Sequence, residues 1–202
     1  MYKRQGFYAD FVTRKDEQIL MKSGISFTSL KNAEENLYAE IKGWDFDETH
    51  ETCVRLWDKE LSKITVTGGT EDEKKIFYTA MYHTLIDPRI CSDVNGEYWG
   101  ADNRIHQTKK FDKRTIFSGW DVFRSQMPLQ TLINPTVVND LINSLVEIAE
   151  QSGNEYLERW ELLNAYSGCM LGNPAISILC DAYTKGIRDY DCLLYTSPSP
   201  RD

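Results

Sequence analysis

Two stretches of this chain follow one plan, and that plan restricts the possible folds more than any other feature. Asn134-Pro135 opens a run in which Val138, Leu141, Ile142, Leu145 and Ile148 recur at helical spacing, and Gly153 closes it. Asn173-Pro174 opens another, carrying Leu179, Cys180 and Tyr183, with Gly186 just past its end. Asn caps a helix, and Pro suits its first position because the missing N–H would be unpaired there anyway. Gly takes the left-handed stop without strain. Two such helices, separated by a loop rich in Trp, Glu and Asn, predict consecutive helical hairpins of a toroid or bundle, with the loops gathered at one end.

Upstream the period is also helical. Ala33, Leu37 and Ile41 mark one face of a helix beginning at Ser29 and ending at Gly43. Thr49 caps a second helix, in which Val54, Trp57, Leu61 and Ile64 repeat and Trp57 faces the core. Thr70 with Glu73 forms a capping box, and Ile76, Phe77, Ala80, Met81 and Leu85 line the next helix until Pro88 stops it. Val94-Asn95-Gly96-Glu97 reads as a type I′ hairpin turn that leaves Tyr98 and Trp99 exposed. Before all of these, Phe7–Thr13 and Ile25–Ser29 alternate apolar and polar residues, which predicts two or three strands. So few strands cannot protect their own edges, so they are read as the end of a larger sheet.

The 202 residues carry 23 basic and 31 acidic side chains, a formal charge of -8, and this argues against nucleic acid or an anionic membrane as partner. No run has the length and apolarity of a spanning helix, and no secretory signal opens the chain. Met1–Gln5 and Cys192–Asp202 resemble translated sequencing-adaptor ends, which would leave Gly6 to Asp191 as the native stretch, cut at both sides. The five cysteines, Cys53, Cys91, Cys169, Cys180 and Cys192, form no CxxC pair and read as free, buried thiols. His83 reads as partly buried, while His50 and His106 read as surface residues. Serine-hydrolase, dinucleotide and zinc-protease motifs do not occur.

Two segments carry chemistry. In Phe117-Ser-Gly-Trp-Asp-Val-Phe-Arg124, a helix start would bring Asp121 and Arg124 onto one face as an ion pair beside Trp120. A carboxylate held ionised in this way accepts hydrogen bonds from hydroxyls, the guanidinium donates, and the indole offers an apolar plate, which together suit a sugar ring. A structural ion pair beside a core Trp fits the same residues equally well. The second segment, Glu158-Arg159-Trp160-Glu161 with Asn164, leads to Gly168-Cys169-Met170. Its two carboxylates could serve acid–base chemistry across a glycosidic bond, although a solvated face around a buried Trp160 is the simpler reading. Trp44-Asp45 is weaker still, as a packing role between helices suffices.

Phe77-Tyr-Thr-Ala-Met-Tyr-His-Thr84, Ser92-Asp-Val-Asn-Gly-Glu-Tyr98, Phe117 to Arg124 with Pro128-Leu129, Gly168-Cys-Met-Leu-Gly172 and Asp181-Ala-Tyr-Thr-Lys-Gly186 together resemble, in order and spacing, glycoside hydrolase family 92. The resemblance extends over essentially all of Gly6 to Asp191. It implies an exo-acting, calcium-dependent α-mannosidase that inverts at the anomeric carbon, built from an N-terminal β-sandwich, a helical linker and an (α/α)6 barrel. On that plan residues 6–30 end the sandwich, 31–69 form the linker and 70–191 begin the barrel, with 1–5 and 192–202 foreign.

Trp120, Asp121 and Arg124 inherit a mannose-binding role from the resemblance, and the loop with Trp160, Glu161 and Cys169 borders the same subsite. The family's general acid and base belong to later motifs resembling E-G-N-x-W-Q-Y and G-N-D-D-x-G, absent from these residues, and the calcium ligands are expected beside them. The resemblance thus implies an inactive fragment of an exported, periplasmic or secreted mannosidase acting on mannose-containing glycans. A non-catalytic carbohydrate-binding module, a helical protein-interaction scaffold and a different glycosidase on a similar toroid are the competing classes.

Overall fold

A computed structural model of the chain describes residues 8–154 and 156–191. The head Met1–Gln5 and the tail Cys192–Asp202, read above as foreign, lie outside the described residues. Among the described residues seven helices run in chain order: α1 (Leu30–Glu40), α2 (Phe46–Leu61), α3 (Glu71–Thr84), α4 (Gly119–Val122), α5 (Gln126–Ile133), α6 (Pro135–Ser152) and α7 (Pro174–Thr184). Between them lie seven short strands: β1 (Arg89–Ile90), β2 (Glu97–Trp99), β3 (Ile105–Gln107), β4 (Arg114–Thr115), β5 (Phe117–Ser118), β6 (Trp160–Leu162) and β7 (Ala165–Tyr166). The strands pair antiparallel as β1–β4, β2–β3 and β5–β6–β7.

The core forms where α5, α6 and α7 meet. Val138, Leu141, Ile142 and Leu145 of α6 pack with Ala175, Ile178 and Ala182 of α7, Met127 of α5 and Phe117 of β5. This is the apolar stripe that the Asn-Pro-to-Gly pattern predicts, with Gly153 in the left-handed conformation just past α6. Asn134 stands at the cap position, but its side chain does not cap. Its amide donates to Gln130 Oε1 at 2.8 Å and its oxygen accepts from Lys63, tying α5 and α6 to the end of α2.

The first three helices are thinly packed. Thr70 and Glu73 form the capping box of α3, whereas α2 is capped by Asp45, four residues earlier than Thr49, because the Asp45 carboxylate accepts the Glu48 amide. Helix α1 ends at Glu40 with Ile41 as its cap, ahead of Gly43. Trp57 is not core: it stays 37 % exposed and leans on Tyr82 with ring centroids 4.6 Å apart. No residue of α2 is buried.

The expected strands in residues 6–30 are absent among the described residues, where 8–29 run as largely exposed chain without a strand. Alternation favours a strand only when a neighbour takes up its N–H and C=O groups, and none lies alongside. The segment is fastened instead by Asp93, which accepts from Ser26 at 2.8 Å, Asn32 at 2.8 Å, Asn36 at 2.7 Å and Thr28. Burial alone would raise the Asp93 pKa, but these donors outweigh it and hold the group below the usual carboxylate range.

The Asn95-Gly96 turn also differs from expectation. Gly96 has φ of 86° while Asn95 keeps a negative φ, and the turn closes from Gly96 N to Asp93 O before β2 begins. Strand β2 then pairs with β3 across residues 100–104, with Tyr98 opposite His106. Tyr98 is therefore buried rather than exposed, its hydroxyl donating to Glu147 and accepting from Gln151. The thiols are less buried than read: Cys53, Cys169 and Cys180 are exposed and Cys91 is half-buried. His83 is exposed as well.

Candidate functional site

The two aromatic-carboxylate segments, forty residues apart in sequence, are strand neighbours. Phe117 pairs with Glu161 and Ser118 with Trp160 in the β5–β6 ladder, and Gly119 N donates to Arg159 O at 3.0 Å. Trp120 and Asp121 leave β5 as the first turn of α4, two and three residues after Ser118, the partner of Trp160. A third segment folds onto the same edge. Ser167 Oγ donates to Trp160 O at 2.9 Å and accepts from Cys169 N at 3.3 Å, and the Arg159 guanidinium donates to Met170 O. All six sequence-derived residues, Trp120, Asp121, Arg124, Trp160, Glu161 and Cys169, thus belong to one small sheet and its flanks.

Their roles within it differ. Trp120 is 38 % exposed, with the Arg124 guanidinium 5.2 Å from its ring centroid. Arg124 also lies 4.8 Å from the Phe123 ring centroid. The expected Asp121–Arg124 pair does not form, because α4 is a single turn and Arg124 follows it, turned onto the aromatic faces. Asp121 instead accepts the Ser118 hydroxyl. Both charged groups are exposed, so a hydroxylated ligand can reach an acceptor, a donor and an indole face together.

Glu158 and Glu161 are not on a solvated face. Both are 1 % exposed, whereas Trp160 is only half-buried. Glu161 accepts from Thr115 Oγ1 at 2.8 Å, Ile116 N at 2.9 Å and Asn164 N at 2.6 Å, so its oxygens are taken up inside the protein. Glu158 Oε2 has no hydrogen-bond partner among the described residues. Burial, reinforced by the Glu161 carboxylate and partly offset by Arg159, pushes its pKa up to about 7.

A supporting shell lies beneath, and the sequence reading missed it. Lys113 is 0 % exposed and donates to Asn164 Oδ1 at 2.9 Å; burial lowers its pKa against the pull of Cys91, Glu161 and Glu147. Burial likewise pushes the Cys91 thiol up to about 11, which keeps it a poor nucleophile. A lysine next to Asp112 reads as surface in any pattern. Only the fold, which turns β4 inward against α6, shows otherwise.

Among the described residues no three His, Cys, Asp or Glu side chains come together to hold a metal. The buried acids do not fit a calcium cage, since the Asp93 and Glu161 oxygens already accept protein donors and no further carboxylate joins Glu158 to make a group of three among the described residues. No described helix is long and apolar enough to cross a membrane. A recess of about 1130 Å³ lies between residues 23–41 and 89–112 and is lined by none of the six.

Comparison with known proteins gives the family. A family model described as the glycosyl hydrolase family 92 catalytic domain matches residues 32–197; the chain belongs to this family. It superposes on the family GH92 α-mannosidase BT3965 from Bacteroides thetaiotaomicron with a TM-score of 0.77 at 32 % identity, over 82 % of this chain and 22 % of that one. In that enzyme's complex with mannoimidazole the TM-score is 0.78, at the same identity and coverage. The inverting mannosidase BT2199 from Bacteroides thetaiotaomicron VPI-5482 gives 0.77 at 29 % identity, over 84 % of this chain and 23 % of that one. No curated protein matches. The matches and the helix-rich architecture fit a partial helical barrel domain, and the chain spans about a fifth of the length of these solved relatives.

Proposed function

We propose that this chain is part of an exo-acting α-mannosidase that releases terminal α-linked mannose from glycans by single-displacement, inverting hydrolysis. On this reading the chain contributes one side of the mannose subsite on the first hairpins of an (α/α)6 barrel. The observation that carries it is the β5–β6 pairing of Ser118 with Trp160, which sets the Trp120–Asp121 turn against the Trp160 edge. The solved relative bound to mannoimidazole supports mannose as the sugar.

In this proposal Asp121 accepts a sugar hydroxyl, Arg124 donates to a ring substituent, and the Trp120 and Trp160 faces cover the apolar side of the ring. Cys169 borders the same edge. Inverting hydrolysis needs an acid for the leaving oxygen and a base for water. Neither is assigned to these residues: Asp121 is committed to binding, and Glu158 and Glu161 are too buried to meet a substrate. The chain alone is therefore proposed to bind without turnover, with acid, base and any calcium supplied by other parts of the whole protein.

The test is to read outward from this sequence in its source DNA, express the whole product, and assay α-mannoside cleavage with and without a calcium chelator. Chelator-sensitive release of mannose with inverted anomeric configuration is expected. A complete product that is inert on mannosides, or that binds them without cleavage, overturns the mannosidase reading in favour of a binding module.

A further inference from the structure

We infer that Glu161 is a positioning residue, a buried clamp that holds two strained backbone turns and through them sets Trp120 and Asp121 against Trp160. The inference takes the sugar-binding edge proposed above as its setting. Ile116 sits between β4 and β5 with φ of 63°, a conformation that is a steric outlier for a β-branched side chain. That single reversal lets one continuous stretch pair with β1 through Thr115 and with β6 through Phe117. On the other side, Leu163 and Asn164 have φ of 50° and 65°, the two left-handed positions of a tight turn joining β6 to β7.

Glu161 grips both. One oxygen accepts Ile116 N at 2.9 Å and the other accepts Asn164 N at 2.6 Å, while Thr115 Oγ1 donates to the carboxylate at 2.8 Å and accepts Leu163 N at 2.8 Å. Lys113 Nζ completes the hold on the Asn164 side chain. Strained backbone persists only where its surroundings over-determine it, and here each of the three strained amides hydrogen-bonds to a single buried carboxylate or to the hydroxyl bound to it: Ile116 and Asn164 to Glu161, Leu163 to Thr115. The two turns flank the paired segment that carries Ser118 and Trp160. Releasing the clamp therefore lets β5 and β6 shift relative to each other and parts the Trp120–Asp121 turn from the Trp160 edge.

The test uses the full 202-residue chain, labelled with nitrogen-15, with indole signals identified by W120F and W160F. E161Q keeps the size of the side chain but turns one acceptor into a donor facing an N–H. Amide exchange at Ile116 is expected to accelerate tenfold or more, the Trp120 and Trp160 indole signals to move while those of Trp44 and Trp57 stay, and the dissociation constant for methyl α-mannoside to rise at least tenfold. I116G adopts the same φ without strain, so E161Q/I116G should recover most of the lost affinity and return both indole signals toward the parent. If E161Q fails to fold, the double variant and I116G alone are compared in its place. Unchanged exchange and indole signals in E161Q, or a double variant as displaced as the single one, overturn the clamp. A parent chain with no mannoside affinity overturns the sugar-binding reading instead, and the exchange and indole readouts still decide the clamp.

Discussion

Glu158 and Glu161 are buried to the same extent, 1 % exposed each, in opposite circumstances. Glu161 meets donors from Thr115, Ile116 and Asn164, while Glu158 Oε2 meets none among the described residues. A carboxyl with a buried oxygen that accepts no donor favours its neutral form in the interior. Burial first, then the Glu161 carboxylate, raises its pKa to about 7.

This asymmetry predicts a pH dependence of stability. The unfolded Glu158 releases its proton near 4.5 and the folded one near 7, so over that interval the folded form holds a proton the unfolded form has lost. Stability is fully present below the lower value and falls as pH rises through the upper one, by up to about 3 kcal/mol. Urea midpoints at about pH 5 and about pH 8 should differ in that direction, and Glu158→Gln should remove most of the difference. An equal loss in the Gln variant would assign the dependence to other groups.

Arg114 and Asp140 make a well-buried ion pair, joining β4 to α6 at 3.2 Å with side chains 11 % and 5 % exposed. Burial raises the Asp140 pKa and Arg114 only partly offsets it, the pattern of a pair that nearly breaks even on desolvation. Asp140→Ala leaves the guanidinium buried without its carboxylate and should cost about 3–5 kcal/mol. Arg114→Met with Asp140→Leu should cost clearly less than the sum of the two single losses. Chemical denaturation of the four proteins checks this, and strict additivity would mean that the two side chains act independently.

The helices whose apolar stripe meets another stripe were legible from sequence: α6 and α7 follow their Asn-Pro openings, and Thr70 with Glu73 caps α3 as a local motif must. Trp57 and residues 8–29 were misread because their burial or pairing depends on neighbours that the pattern does not contain. At the candidate site, Trp120, Asp121 and Trp160 stood out by residue type. The Asp121–Arg124 pair failed because one helical turn is too short to align them. Lys113, Thr115 and Ile116 were invisible, since nothing local marks a lysine that turns inward or an isoleucine held left-handed by a glutamate forty-five residues away.

Gly119 lets the Trp120–Asp121 turn approach β6. A Cβ there would meet the Phe117 ring at 2.7 Å and Arg159 O at 3.0 Å, and both neighbours are fixed, one in the core and one by the Gly119 N–H itself. Gly119→Ala should therefore destabilise by about 1–3 kcal/mol and lose mannoside affinity out of proportion to that change. Calorimetric melting with a binding titration on the same sample tests both parts. An alanine variant with parental melting and affinity would show that the turn has room to spare.

Asp121 is exposed and, among the described residues, accepts a single intramolecular hydrogen bond, from Ser118. Nothing in the fold depends on its charge, so Asp121→Asn should change stability by no more than about 0.5 kcal/mol, as surface substitutions usually do. Hydrogen bonds from hydroxyls to a charged acceptor are worth about 1.5–3 kcal/mol, so the same variant should bind methyl α-mannoside roughly tenfold to a hundredfold more weakly. Ser118→Ala frees the carboxylate without removing it and should cost less. Isothermal titration of the three proteins separates the cases: equal affinity in the Asn variant would make Asp121 a surface residue and return the sugar-binding role to the aromatic faces alone.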